Sequence, residues 1–154
     1  VQAEWVEFDL EKGLWTIPAR RMKARREHVV PLPTQAVELL KAMHPITGHT
    51  KFVFPNRDDR QRPMADAALR QALKKLGWAT KYSPHGTRTT GSTRLNELGY
   101  RPDAIEAQLA HAEPNSVRRT YNHATYLDER RVMMQSWANS LDAWKLAAMS
   151  ASAS

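Results

Sequence analysis

Ser83-Pro84-His85-Gly86-Thr87-Arg88-Thr89-Thr90 is the stretch on which the reading of this chain turns. A serine side chain can accept from an unpaired amide at a helix start. Proline one position later gives up only an N–H that would be unpaired there anyway. The pair predicts a helix running to Leu98 and closed by Gly99. His85 and Arg88 stand three residues apart at its beginning, so both side chains project from one face. An arginine fork matches phosphate oxygens, and the helix N-terminus adds partial positive charge at the same spot, so the two can grip one phosphate. Taken alone, such a pair also describes a surface arginine beside a capping histidine. The rest of the chain has to decide.

Downstream the pattern stays helical. Arg101-Pro102-Asp103 starts a helix to about Ala110, a short one from about Pro114 leads to Tyr121, and a last one runs from Leu127 to about Leu146. On that last helix Met134, Trp137, Leu141 and Trp144 recur as a stripe, a core face by default or an interface through its aromatic anchors. Ala147 to Ser154 reads as a flexible Ala/Ser tail.

Upstream the period changes to two. Trp5–Leu10 and Leu14–Ile17 alternate apolar and polar residues around Lys12-Gly13, the pattern of a half-buried hairpin, and a third strand follows at His28–Leu32. Between the second and third strands lies a charged turn in which five of the seven positions from Arg20 to Arg26 are basic. Thr34 can cap a helix carrying Val37, Leu40 and Met43, which Pro45 should stop. Lys51–Pro55 reads as a short buried segment and 56–62 as a polar loop. Asp66–Leu76 reads as a helix with Leu69, Leu73 and Leu76 on one face, ending at Gly77. The fold class expected is α+β: mostly helical, with a small three-stranded antiparallel sheet at one edge. Neither a repeat nor an internal linker is visible.

Composition narrows the function. With 154 residues, 42% of them hydrophobic, the chain can bury one core. Lys and Arg outnumber Asp and Glu by 23 to 16, which favours a polyanionic partner. The absence of cysteine removes disulfides, thiolate zinc sites and thiol chemistry, and suits a reducing cytoplasm. No apolar run approaches the ~20 residues that cross a bilayer, and the start lacks a signal-peptide layout. Lacking an initiator Met, the chain is read as part of something longer. Two-metal nuclease chemistry fits poorly, because the acidic residues are scattered rather than clustered.

His85, Arg88, His111 and Tyr121 fall in one order inside the helical part, with 23 residues from Arg88 to His111 and ten from there to Tyr121. This order, carried by Ser83–Thr90, Gln108-Leu-Ala-His111 and Arg118-Arg-Thr-Tyr-Asn-His123, resembles the catalytic domain of tyrosine recombinases of the phage-integrase type. Trp5-Val-Glu-Phe-Asp-Leu10 and Trp15-Thr-Ile-Pro18 are similar to the openings of such domains, and the resemblance extends to about Trp144.

The resemblance implies a tyrosine-recombinase catalytic-domain fold over 1–146, and it implies roles. Tyr121 would attack the scissile phosphate, forming a 3′-phosphotyrosine linkage that retains bond energy for rejoining. Arg88 would stabilise charge on the non-bridging oxygens and His111 would donate a further hydrogen bond. His85 would assist the tyrosine hydroxyl, whose ordinary pKa of ~10 makes help necessary. Lys23 matches the hairpin lysine that protonates the departing 5′-oxygen. Arg20, Arg21, Arg25 and Arg26 compete for that role, and otherwise the whole turn serves to neutralise DNA phosphates.

Tyr126 is a chemical alternative to Tyr121 but is expected to pack, and His123 is expected to support. His28, His44 and His49 have no metal spacing and are expected to be structural or solvent-exposed. The family's first Arg and its DNA-clamping domain have no match here, so the isolated chain is expected to bind weakly and recombine poorly or not at all. No cofactor or metal is implied. The partners implied are double-stranded DNA attachment sites, further copies of the chain in a tetramer on DNA (a monomer without it), and accessory DNA-bending proteins, in a bacterial or phage setting. A type IB topoisomerase is disfavoured by the integrase-like opening. A non-cleaving DNA-binding relic is the rival from another class.

Overall fold

The computed structural model describes residues 1–78, 80–110 and 126–152. Within them a three-stranded antiparallel sheet, ordered β1-β2-β3, consists of β1 (Phe8–Asp9), β2 (Leu14–Ile17) and β3 (His28–Pro31). Phe8 pairs with Trp15, and Leu14 to Ile17 pair with Pro31 to His28. The β1–β2 turn is closed by Asp9 Oδ1, which accepts from the Lys12 amide at 2.9 Å, and by Gly13 at φ +62°, a conformation a side chain would resist. That same amide contact, with Lys12 beside it, holds the Asp9 carboxyl below its ordinary range.

Only Phe8–Asp9 of the expected first strand is extended. Trp5–Glu7 forms a single 3-10 turn, because Glu7 folds back to accept from the Glu4 amide while Val6 points to solvent. The strand edge is replaced by pairing with the Lys51–Pro55 segment. Trp5 donates to the Lys51 carbonyl at 3.1 Å and Val53 to that of Ala3 at 2.9 Å, burying Ala3, Phe52 and Val53 together.

Five α-helices follow among the described residues: α1 (Thr34–Thr47), α2 (Ala67–Lys75), α3 (Pro84–Glu97), α4 (Pro102–Gln108) and α5 (Leu127–Ser152). They depart from expectation at three points. Thr34 is the first residue of α1 rather than its cap, and its amide is taken by Gln135 Oε1 of α5 at 2.9 Å, a cap supplied from 101 residues away. Pro45 does not stop α1. It sits in the last turn, where its missing N–H leaves without a helical donor only the carbonyl of Lys41, an exposed residue that water reaches. Finally, α5 continues through Ser152 instead of ending near Leu146.

The core lies where α3, α4 and α5 meet. Leu95, Ala104, Ile105 and Met133 are buried there, with Tyr100, Leu109, Met134 and Trp137 packed against them. Of the stripe expected on α5, only the first half, Met134 and Trp137, packs on this core, and it is half-buried. Leu141 and Trp144 are exposed, because α5 runs on past the helices that cover Met133 and Trp137, although Trp144 retains an edge contact with Trp137 and lies under the Arg94 guanidinium. On α2, Leu69 and Leu76 are exposed and Leu73 half-buried, so the leucine face anticipated as core is left largely uncovered.

Candidate active site

Ser83 Oγ accepts from the Gly86 amide at 3.0 Å, and Pro84 opens α3 as the sequence predicts. His85 and Arg88 follow within the first two turns, both exposed. The far end of α3 is closed by Gly99 at φ +80°, where Gly99 and Tyr100 donate to the Asn96 and Leu95 carbonyls. This reversal sends the chain back as α4. The return carries the end of α4 to the start of α3, where Arg88 Nη2 donates to the Leu109 carbonyl. Two sequence segments 21 residues apart are thereby tied, and the tie falls two residues before His111.

Ala110, between them, has φ +52°. A left-handed alanine carries roughly 1 kcal/mol of strain that a glycine would not. It marks the point where the chain leaves the end of α4. His111 and Tyr121 themselves, with Arg118, Arg119 and His123, lie outside the described residues.

Lys23 stands on the β2–β3 connection. After a 3-10 turn at Ala19–Arg21, the Arg25 amide donates to the Met22 carbonyl at 2.9 Å, so Lys23 and Ala24 occupy the outermost corner of a tight turn. Lys23, Arg25 and Arg26 are exposed there. Arg20 and Arg21 behave differently. Arg20 pairs with Glu4 at 3.2 Å, sharing that carboxylate with Lys51 at 3.4 Å, and keeps most of its side chain in solvent. Arg21 is turned inward with a side chain only 17% exposed, and its guanidinium donates to the Glu7 carboxylate and the Gln2 carbonyl. Trp15 Nε1 donates to the same Glu7 oxygen at 3.0 Å. Arg21, grouped by sequence with the DNA-contacting cations, thus belongs by geometry to the anchor of the turn.

Tyr126 packs, as expected: the Arg101 guanidinium lies over its ring and donates to its hydroxyl at 3.3 Å. His44 stands edge-on to Trp5, and His49 meets Arg60 at 3.0 Å. Among the described residues no group of three or more His, Asp or Glu is placed to hold a metal ion. No helix of these residues is long and apolar enough to cross a membrane.

Sequence reasoning missed the group that holds the end of α4. Arg130 of α5 is buried, 1% exposed, and donates from Nε to Gln108 Oε1 at 2.9 Å and from Nη2 to the Val29 carbonyl of β3 at 2.7 Å. Burial lowers its pKa to about 10, which leaves it protonated at neutral pH. His28 Nε2 lies 3.2 Å from the Gln108 carbonyl. An Arg inside the Asp128-Glu-Arg-Arg131 run reads as a surface charge, and only its position one turn before Met133 and Met134 hinted otherwise.

Comparison with known proteins gives this arrangement a family. The model of the phage integrase family matches residues 1–128. The chain belongs to that family. Among its integrase relatives, the prophage integrase IntA of Escherichia coli (strain K12) is 46% identical over 138 residues, covering 90% of this chain and 33% of the relative. The integrase of Shigella phage Sf6 is 46% identical over 140 residues, with 90% and 36% covered, and that of Enterobacteria phage P4 is 42% identical over 156 residues, with 91% and 36% covered. The chain spans about a third of the length of the curated relatives it matches. No solved structure matches it at a significant level.

Proposed function

We propose that this integrase-family chain is the greater part of a tyrosine-recombinase catalytic domain that breaks and rejoins DNA at attachment sites. The observation that supports the reading most is the bond from Arg88 to the Leu109 carbonyl, which ties the His85–Arg88 helix start to the end of α4, two residues before His111 in the sequence.

In this reading Tyr121 Oη attacks the scissile phosphorus as His85 assists removal of its proton, and the bond to the 5′-oxygen breaks. Arg88 and His111 hold the charge that develops on the non-bridging oxygens. Lys23 donates a proton to the 5′-oxygen from the exposed corner of the hairpin. The reverse step, attack by a 5′-hydroxyl of another strand, rejoins the DNA and releases the tyrosine, so no high-energy cofactor is consumed. Arg25 and Arg26, with Arg20 in part, face the backbone phosphates. The working assembly is a tetramer on DNA, aided by DNA-bending proteins.

The test is Tyr121→Phe in the full-length protein. Affinity for attachment-site DNA should stay within about twofold, since one hydroxyl leaves the phosphate contacts untouched, while the covalent protein–DNA complex disappears. Persistence of the complex would reject Tyr121 as the nucleophile. If the unmodified protein forms no complex yet binds DNA with strong salt dependence, it is a DNA-binding relic instead.

A further inference from the structure

The end of α4 is held from three sides. Arg88 of α3 grips the Leu109 carbonyl, His28 of β3 meets the Gln108 carbonyl, and Arg130 of α5 takes the Gln108 side chain while its other arm holds the Val29 carbonyl. Few residues separate these contacts from the left-handed Ala110 at which the chain departs toward His111. A buried guanidinium is a costly way to fill this space, since burial disfavours its charge. What it supplies that an apolar side chain cannot is a rigid planar fork with two directed arms. One arm sets the rotation of α4 and the other ties that helix to the strand leading out of the Lys23 turn.

We propose that Arg130, acting through Gln108, is a positioning residue that sets where the end of α4 lies and, through the Leu109 carbonyl, how Arg88 is held for the scissile phosphate. This rests on the recombinase reading above. Arg130 lies inside the core and touches no substrate. Its effect is geometric: a displacement of about 1 Å in a charge-stabilising group is enough to slow a reaction by roughly a hundredfold.

The experiment uses the full-length protein with Arg130→Met, which keeps side-chain bulk and removes both arms, and Gln108→Met, which removes the acceptor on α4. Cleavage of a nicked suicide substrate is timed at saturating DNA, in parallel with DNA affinity and thermal midpoint. Each assay is run on an ordinary scissile phosphate and on a methylphosphonate, which lacks the negative charge that Arg88 and His111 would stabilise. For Arg130→Met we expect DNA affinity within about threefold of the unsubstituted protein and cleavage of the phosphate slowed by about 30-fold or more. The defect should shrink several-fold on the methylphosphonate. Gln108→Met should show a smaller defect of the same kind, and the double variant should be no slower than Arg130→Met alone.

An equal slowing on both substrates, or none in a folded variant, would overturn the proposal, as would defects that multiply in the double variant. If Arg130→Met does not fold, the phosphate-to-methylphosphonate ratio of Gln108→Met decides by the same criterion. A protein that forms no adduct before any substitution would refute the recombinase reading itself, and a protein that cleaves normally with either substitution would refute only the positioning role.

Discussion

The base and the corner of the β2–β3 turn share one composition and divide the work. Five cations fall within seven positions, yet Arg21 is folded inward on Glu7 and Gln2, Arg20 leans on Glu4, and Lys23, Arg25 and Arg26 stand in solvent beyond them. The difference comes from the carboxylates. Glu4 and Glu7 are buried beside the first 3-10 turn and need positive partners there, and the two arginines nearest β2 are within reach. Beyond Met22 the chain has turned away from both carboxylates. A basic run thus becomes a structural anchor at one end and an exposed cationic corner at the other, which gives Lys23 a stiff support.

That division can be broken or sharpened by substitution. The largest effect should come from Lys23→Ala, with cleavage at saturating DNA slowed by about a hundredfold or more, as for loss of a general acid. The folded state should move by less than about 0.5 kcal/mol, because the side chain is exposed. Arg21→Met should do the reverse in kind: roughly 3 kcal/mol of stability lost as Glu7 is left buried without its cation, read from the denaturant midpoint. If Arg21→Met instead weakened DNA binding with unchanged stability, the anchor assignment would be wrong.

Smaller effects should follow at the corner. Arg26→Gln should weaken DNA binding a few-fold for every sequence and lower the slope of log affinity against log salt by about one. Arg25, like Ala110, adopts a φ of +52°, so Arg25→Gly should relieve strain, raising stability by up to about 1 kcal/mol while reducing the salt slope. Ala110→Gly should give a gain of the same size without touching the salt slope, measurable in the same unfolding experiment.

How much of this could be read from the chain depends on whether the cause is local. The span of β2, the Ser83-Pro84 start of α3 and the glycines after α2 and α3 follow from patterns a few residues long, and all were legible. The turn carrying Lys23 was legible too, as was the packing role of Tyr126. What escaped depends on partners far along the chain. The inward turn of Arg21 needs Glu7, the start of α1 needs Gln135, and the burial of Arg130 needs Gln108 and β3. The leucines of α2 and the second half of the α5 stripe show the converse, since helical spacing announces an apolar face but not what covers it. Of the candidate site, the approach of Arg88 to the end of α4 is visible in the structure. The roles of His111 and Tyr121 stand on their sequence setting within the family.

The most direct test is to trap the full-length protein on a nicked suicide substrate carrying its attachment site, digest the adduct and map the linked residue by mass spectrometry. A single 3′-phosphodiester linkage to Tyr121 is the expected result. A linkage to Tyr126 or to any other side chain, or DNA binding with no covalent species, would contradict it.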